Sequence, residues 1–188
     1  MIAIADAALE HEAAVRALHR QAFGGMFEAE LVDRLKQDGL AIVSLVAIDG
    51  GRVAGHILLS TLAVEIDGRP VASASLAPMA VVPKRQRQGI GSKLVRAGLA
   101  RLQQGSTQAV IVVGHPDYYQ RFGFSAEKVR KLDTPYAGEA FMGLELVPGA
   151  LAGTRLRAIS GSLRRDVDYV FAARATAMAS RTILSSPM

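Results

Sequence analysis

The sequence contains no cysteine, which removes disulfides, thiol nucleophiles and cysteine-ligated zinc or iron–sulfur clusters from consideration. Whatever chemistry the chain performs must use oxygen or nitrogen groups, or a bound co-substrate, and no metal is expected. Nor does any stretch approach the roughly 20 uninterrupted apolar residues that a membrane-spanning helix needs. The opening "MIAIADAALEHEAAV" carries acids where a secretory signal would carry basic residues. The expectation is a cytoplasmic protein with no membrane partner.

What is present is enough for one full core: 188 residues, 50% of them hydrophobic, read as a single domain. The formal charge of +5 is unevenly spread, since residues 153–188 hold six arginines against Asp166 and Asp168 and so account for four of those five charges. That arginine-bearing extension lacks the aromatic interleaving or motif of a nucleic-acid binder, so no nucleic-acid partner is expected. The rest of the chain is nearly neutral, and its basic side chains gather at Lys84, Arg85, Arg87 and Lys93. A small anionic ligand explains such a local cluster better than a long polyanion.

"IAIA" reads as a strand, after which Asp6 is placed to cap a helical stretch carrying Leu9, Ala13 and Leu18. A second helix is expected over about 27–37. The runs "AIVSLVAI", "VAGHILLSTLAVEI" and "VASASLAPMAVV", separated by "DGGR" and "DGRP", have the pattern of an antiparallel meander joined at Asp-Gly turns. A helix over about 89–103 follows, with Ile90, Leu94, Val95, Leu99 and Leu102 on one face. "AVIVVG" is then a buried strand, "HPDYYQRFGF" a brief helix stopped by Gly123, and "FMGLELV" a late strand. The spacing of Val167, Val170, Phe171, Ala175 and Met178 admits a terminal amphipathic helix. The order predicts an α+β domain, three-layered, with helices flanking one mostly antiparallel mixed sheet.

The stretch "PKRQRQGIGSKL" joins the meander to the helix at 89–103. The start of a helix leaves backbone N–H groups unpaired at the positive end of the macrodipole, which suits phosphate. Gly89 and Gly91 remove side chains that would hold a phosphate away. Neither of two better-known phosphate loops fits: Gly-x-x-x-x-Gly-Lys-[Ser/Thr] is absent, and Gly-x-Gly-x-x-Gly would need glycine where Leu94 stands.

The pattern that remains, Met79, Val81 and Pro83 followed by Gln86, Gly89 and Gly91, resembles the signature of the GCN5-related N-acetyltransferases (GNAT superfamily). Tyr119, Gly123 and Phe124 match that family's Tyr-x-x-x-Gly-Phe. The longer phrases "LAPMAVVPKRQRQGIGSKL" and "GHPDYYQRFGF" resemble its YhbS-type subgroup, over about residues 1–152. The resemblance implies a GNAT fold splayed between the fourth and fifth strands, an acetyltransferase domain at 1–152, and a basic extension at 153–188. It also implies acetyl-CoA as co-substrate, its pantetheine pairing with backbone of Met79, Ala80 and Val81. The pyrophosphate would lie on the N–H groups of Arg87, Gln88, Gly89, Ile90, Gly91 and Ser92, with Gln86 in the motif. Because backbone makes these contacts, the side chains of Arg87, Gln88 and Ile90 are expected to be free to vary.

The acceptor implied is a primary amine on a small molecule or a protein, and a homodimer is the assembly frequent in the family. Tyr119 is the residue expected to stabilise the departing thiolate. A phenol is a weaker acid than a thiol, about 10 against about 8.5, so complete proton transfer is uphill by about 2 kcal/mol, and a strengthening hydrogen bond serves as well. Many relatives carry a glutamate base on the fourth or fifth strand, but "SLAPMAVV" and "AVIVVG" have no carboxylate. His56 and His115, with Asp117 behind them, are the candidates left. A chain that binds an acyl-CoA as a sensor and turns nothing over is the alternative of a different class.

Overall fold

The computed structural model describes residues 1–133, 138–153 and 156–158. The terminal amphipathic helix expected around 167–178 lies outside the described residues. Among the described residues, eight strands and four α-helices follow in the order β1 (Ile2–Asp6), α1 (Glu12–Phe23), α2 (Phe27–Gln37), β2 (Ala41–Asp49), β3 (Arg52–Ile66), β4 (Arg69–Val81), α3 (Ile90–Gln103), β5 (Ala109–Val113), α4 (Pro116–Tyr119), β6 (Leu132–Asp133), β7 (Phe141–Glu145) and β8 (Leu156–Ala158). The strands form one mixed sheet with the path β1-β2-β3-β4-β5-β7, and β8 pairs with β3 and β6 off that path. The chain divides into two compact units, Met1–Thr61 with Leu76–Ser106, and Leu62–Ser75 with Thr107–Met188.

In the first unit, β1 pairs antiparallel with β2, and β2 with β3. A tight turn joins β2 to β3, where Gly50 and Gly51 take positive φ and a side chain would be strained. Side chains alternate across a strand, and neighbouring residues of β3 show it. A Cβ on Gly55 would lie 3.0 Å from Leu94 and 3.1 Å from Ile90 of α3, whereas the buried ring of His56 meets His19 of α1. Helices α1 and α3 therefore cover opposite faces. The face expected for α3 is the one buried, Ile90, Leu94, Val95, Leu99 and Leu102, joined by Gly98. At about 1.5–3 kcal/mol per fully buried aliphatic side chain, this stripe is what holds the helix in place.

In the second unit, β4 runs parallel to β5 in register at Ser73↔Ala109, Ala74↔Val110 and Ser75↔Ile111, and no further. Strand β5 is buried throughout and pairs antiparallel with β7 along its whole length. Gly143 of β7 is required by crowding, since a Cβ there would lie 2.9 Å from Leu151.

Two local expectations needed revision. Asp6 does not cap a helix: its backbone continues β1 opposite Leu45, its carboxylate takes a hydrogen bond from Arg101 at 3.0 Å, and α1 starts only at Glu12 after a 3-10 turn at Leu9–His11. Strands β6 and β8 were not anticipated, and β8 lies within the segment read as an extension.

Candidate functional site

The end of β4 is tied to β3 by the Val82 N–H, which donates to Ala54 O at 3.0 Å. Pro83 then opens a single 3-10 turn, Pro83–Arg85, where its missing N–H costs nothing. The turn closes through Arg85 N–H to Val82 O (2.8 Å) and Gln86 N–H to Pro83 O (3.3 Å). Beyond it the chain passes through two left-handed residues, Arg87 at φ +61° and Gly89 at φ +80°. Gly89 is the N-cap of α3, with its carbonyl taking the Lys93 N–H at 3.0 Å. Among the described residues, the N–H groups of Arg87, Gln88, Gly89, Ile90 and Gly91 donate to no protein acceptor. Successive donors through left-handed positions at a helix start form a concave anion seat.

The side chains around this seat divide by burial. Lys84, Arg87 and Lys93 are exposed, so their charge is available to a ligand. Arg85 is half-buried and ion-paired to Asp49 of β2. Gln86 Nε2 donates to Val81 O at 3.2 Å, which gives the glutamine of the motif a loop-bracing job. The expected freedom of Gln88 and Ile90 to vary does not hold. Gln88 accepts from Arg85 Nε at 3.0 Å and donates to Lys84 O at 3.2 Å. Ile90 is 1% exposed and part of the α3 stripe. Met79 and Val81 are partly accessible and Ala80 is buried. All three lie past the last registered β4–β5 pair.

In the second unit, β5 runs into Gly114 and His115. The His115 carbonyl accepts the N–H groups of Tyr118 (3.0 Å) and Tyr119 (3.1 Å), opening α4 with Pro116 as its first residue. Tyr119 is 2% exposed and sits edge-on to Tyr118 and Phe124, at ring separations of 5.0 and 5.7 Å. Its ring leaves no room at Gly114: a Cβ there would overlap Cε2 and lie 2.7 Å from Cδ2. Gly123, at φ +89°, then turns the chain out of the helix. Gly114 opens the phrase "GHPDYYQRFGF", but its crowding against Tyr119 shows only in the structure.

The two histidines differ. His115 is exposed. His56 is fully buried, with Nδ1 2.9 Å from His19 Nε2 and Nε2 3.0 Å from Ser44 Oγ. Burial, with help from His19 and then Lys36, holds its pKa well below the usual histidine value. Both ring nitrogens of His56 thus serve the fold, and abstraction of a substrate proton would have to break one of those bonds. The acid at the end of β7, Glu145, is also engaged. Burial alone would raise its pKa, but the Lys128 ammonium and the Leu151 N–H (2.9 Å) outweigh that and hold it below the usual value. Among the described residues no three metal-ligating side chains cluster, and no helix is long and apolar enough to cross a membrane.

Comparison with known proteins bears on the same elements. The family model described as "Acetyltransferase (GNAT) domain" matches residues 3–126. The chain is 35% identical over 142 residues to the uncharacterized N-acetyltransferase YhbS of Escherichia coli, covering 74% of this chain and 84% of that one. It is 38% identical over 112 residues to the uncharacterized N-acetyltransferase YjhQ of the same species, covering 58% of this chain and 62% of that relative's length. The crystal structure of E. coli YhbS in complex with CoA superposes with a TM-score of 0.76 at 29% identity, covering 89% of this chain and 92% of that one. A Brucella melitensis GNAT family acetyltransferase in complex with acetyl-CoA superposes at 0.70 and 30% identity, covering 87% and 98%. With the sheet order, the donor row of residues 87–91 and these matches in agreement, the chain belongs to the GCN5-related N-acetyltransferase family, in its YhbS-type subgroup.

Proposed function

We propose that the chain is an acetyl-CoA-dependent N-acetyltransferase whose acceptor is a primary amine. One observation carries the reading: among the described residues, five consecutive N–H groups at the head of α3, on Arg87, Gln88, Gly89, Ile90 and Gly91, have no protein acceptor. Such a row binds a diphosphate, and relatives that share the fold are seen with CoA or acetyl-CoA. In this reading residues 1–152 are the catalytic domain, residues 153–188 a basic extension, and the protein is cytoplasmic.

The proposed chemistry is direct transfer. The neutral amine attacks the thioester carbonyl, a C–N bond forms as the C–S bond breaks, and the amine proton leaves to a base while the departing thiolate gains one. A main-chain N–H near Met79 would polarise the carbonyl oxygen. The Tyr119 hydroxyl would support the thiolate with a hydrogen bond that strengthens as charge develops. For the base we favour solvent or the exposed His115 over His56, whose nitrogens are both occupied. An α-amine, with a pKa near 8, is partly neutral at pH 7 and needs little help; a lysine near 10.4 needs more.

Colorimetric thiol release with acetyl-CoA and a panel of amines tests the proposal, and the chain's lack of cysteine removes protein background. Release above the enzyme-free rate with at least one amine is expected. Tight CoA binding without release for any amine would favour the sensor reading, which draws on the absence of a carboxylate from the end of β4 and from β5. Absence of CoA binding would end both.

A further inference from the structure

The donor row raises a mechanical question, because it places an arginine at φ +61° among five N–H groups that have no protein acceptor. A left-handed conformation at a non-glycine residue costs about 1–2 kcal/mol. Something must hold the loop open against relaxation. Three side chains form a line of contacts across the loop. The Asp49 carboxylate pairs with the Arg85 guanidinium, Arg85 Nε donates to Gln88 Oε1 at 3.0 Å, and Gln88 Nε2 donates to Lys84 O at 3.2 Å. Gln88 is thereby fastened between the two positive-φ residues, Arg87 and Gly89.

Asp49 is a suitable anchor because it cannot easily move. It closes β2, in register with Ile2 of β1 on one side and Arg52 of β3 on the other. Its carboxylate is 21% exposed against 39% for Arg85, so the pair is partly shielded from water. Its other oxygen lies 3.6 Å from the Met1 ammonium. With Arg85 committed to Asp49, the net positive charge left to face an anion comes from Lys84, Arg87 and Lys93.

We infer that Asp49 is a positioning residue for the phosphate loop: through Arg85 and Gln88 it fixes the backbone of residues 87–91 in a ligand-ready arrangement before CoA arrives. This rests on the proposed reading of that loop as the CoA seat. The brace makes a prediction opposite in sign to simple electrostatics. Removing a negative charge beside an anion site should tighten binding on Coulomb grounds alone. If Asp49 acts by position, Asp49→Asn should weaken it.

The test compares wild type, Asp49→Asn, Gln88→Ala, the double variant and Asp49→Glu. Calorimetry with CoA and steady-state kinetics with acetyl-CoA should show Kd and KM raised by about three- to tenfold in each single variant. kcat at saturating acetyl-CoA should stay within about twofold, the split expected when binding geometry alone is lost. The double variant should be no worse than the weaker single, since both break one chain, and Asp49→Glu should restore part of the affinity. In the ligand-free protein, amide hydrogen exchange at residues 87–91 should accelerate in Asp49→Asn while α3 beyond Leu94 is unchanged. Unchanged or tighter CoA binding by Asp49→Asn would overturn the inference. Should wild type fail to bind CoA, the functional reading falls, and loop exchange alone judges the brace: unaltered exchange in both Asp49→Asn and Gln88→Ala would remove it. Gln88, exposed on the loop, serves as the check if Asp49→Asn unfolds.

Discussion

Residues 83–92 and residues 114–124 each follow a strand and each contain glycine, but the first leaves main-chain donors without a protein acceptor and the second buries its aromatic ring. In the loop before α3, the groups proposed to act are main-chain N–H, and side chains brace the loop: Gln86 to Val81 O, Gln88 to Lys84 O, Arg85 to Asp49. In the turn after β5, the group proposed to act is one side chain, Tyr119, and its place is set by packing against Gly114, Tyr118 and Phe124. A site made of backbone tolerates side-chain change wherever no strut is lost. A site made of a buried side chain tolerates little, because its neighbours have no room to give.

The comparison is sharpened most by Tyr119→Phe, which keeps the ring and deletes only the hydroxyl. kcat should fall by about 100-fold while the Kd for CoA changes little; an unaltered kcat would take Tyr119 out of the mechanism and leave the turn as packing. Next is Gly114→Ala, where the added methyl must displace the Tyr119 ring. A loss of about 1–3 kcal/mol in unfolding free energy is expected from such overpacking, with kcat reduced as well. If Gly114→Ala were neutral in both stability and rate, the tightness claimed for this turn would be wrong.

Gly89→Ala probes the loop by contrast. A Cβ at Gly89 meets nothing within 4 Å, so the cost is purely conformational, about 1–2 kcal/mol for a left-handed alanine. That should appear as a Kd for CoA raised by about tenfold, with a small drop in Tm and no change at Tyr119. The smallest effect concerns pH. His56 is held neutral by burial, with His19 and Lys36 adding to the same direction and Ser44 as its other neighbour. The unfolded chain therefore binds a proton there more readily than the folded one. Its contribution is complete above about pH 6.5, the ordinary histidine value, and is lost as pH falls toward the lower folded value. Urea midpoints should decline between pH 7.5 and 5.5, and the decline should be shallower in His56→Gln; equal slopes would count against it.

The sequence displayed the loop more fully than the turn's surroundings or the brace. The donors, the glycines and the helix they precede are local, so spacing from Met79 to Gly91 was sufficient to place them, and the buried stripe of α3 followed from period alone. Asp49 was not legible, because its partnership with Arg85 exists only once β2 and the loop meet in the folded unit. Gly114 looked like any glycine ending a strand. Strands β6 and β8 are too short to show alternation, and β1 ran on through Asp6 because pairing with β2 outweighed a capping side chain. His56 read as a candidate base because a histidine within a strand shows its chemistry in sequence, not its burial.

The most direct test of the account is amide hydrogen exchange of the wild-type chain with and without CoA. The account predicts that the strongest new protection falls on residues 87–91, the N–H groups without a protein acceptor. Protection that leaves those five amides exchanging as in the free protein, whatever appears elsewhere, would contradict it.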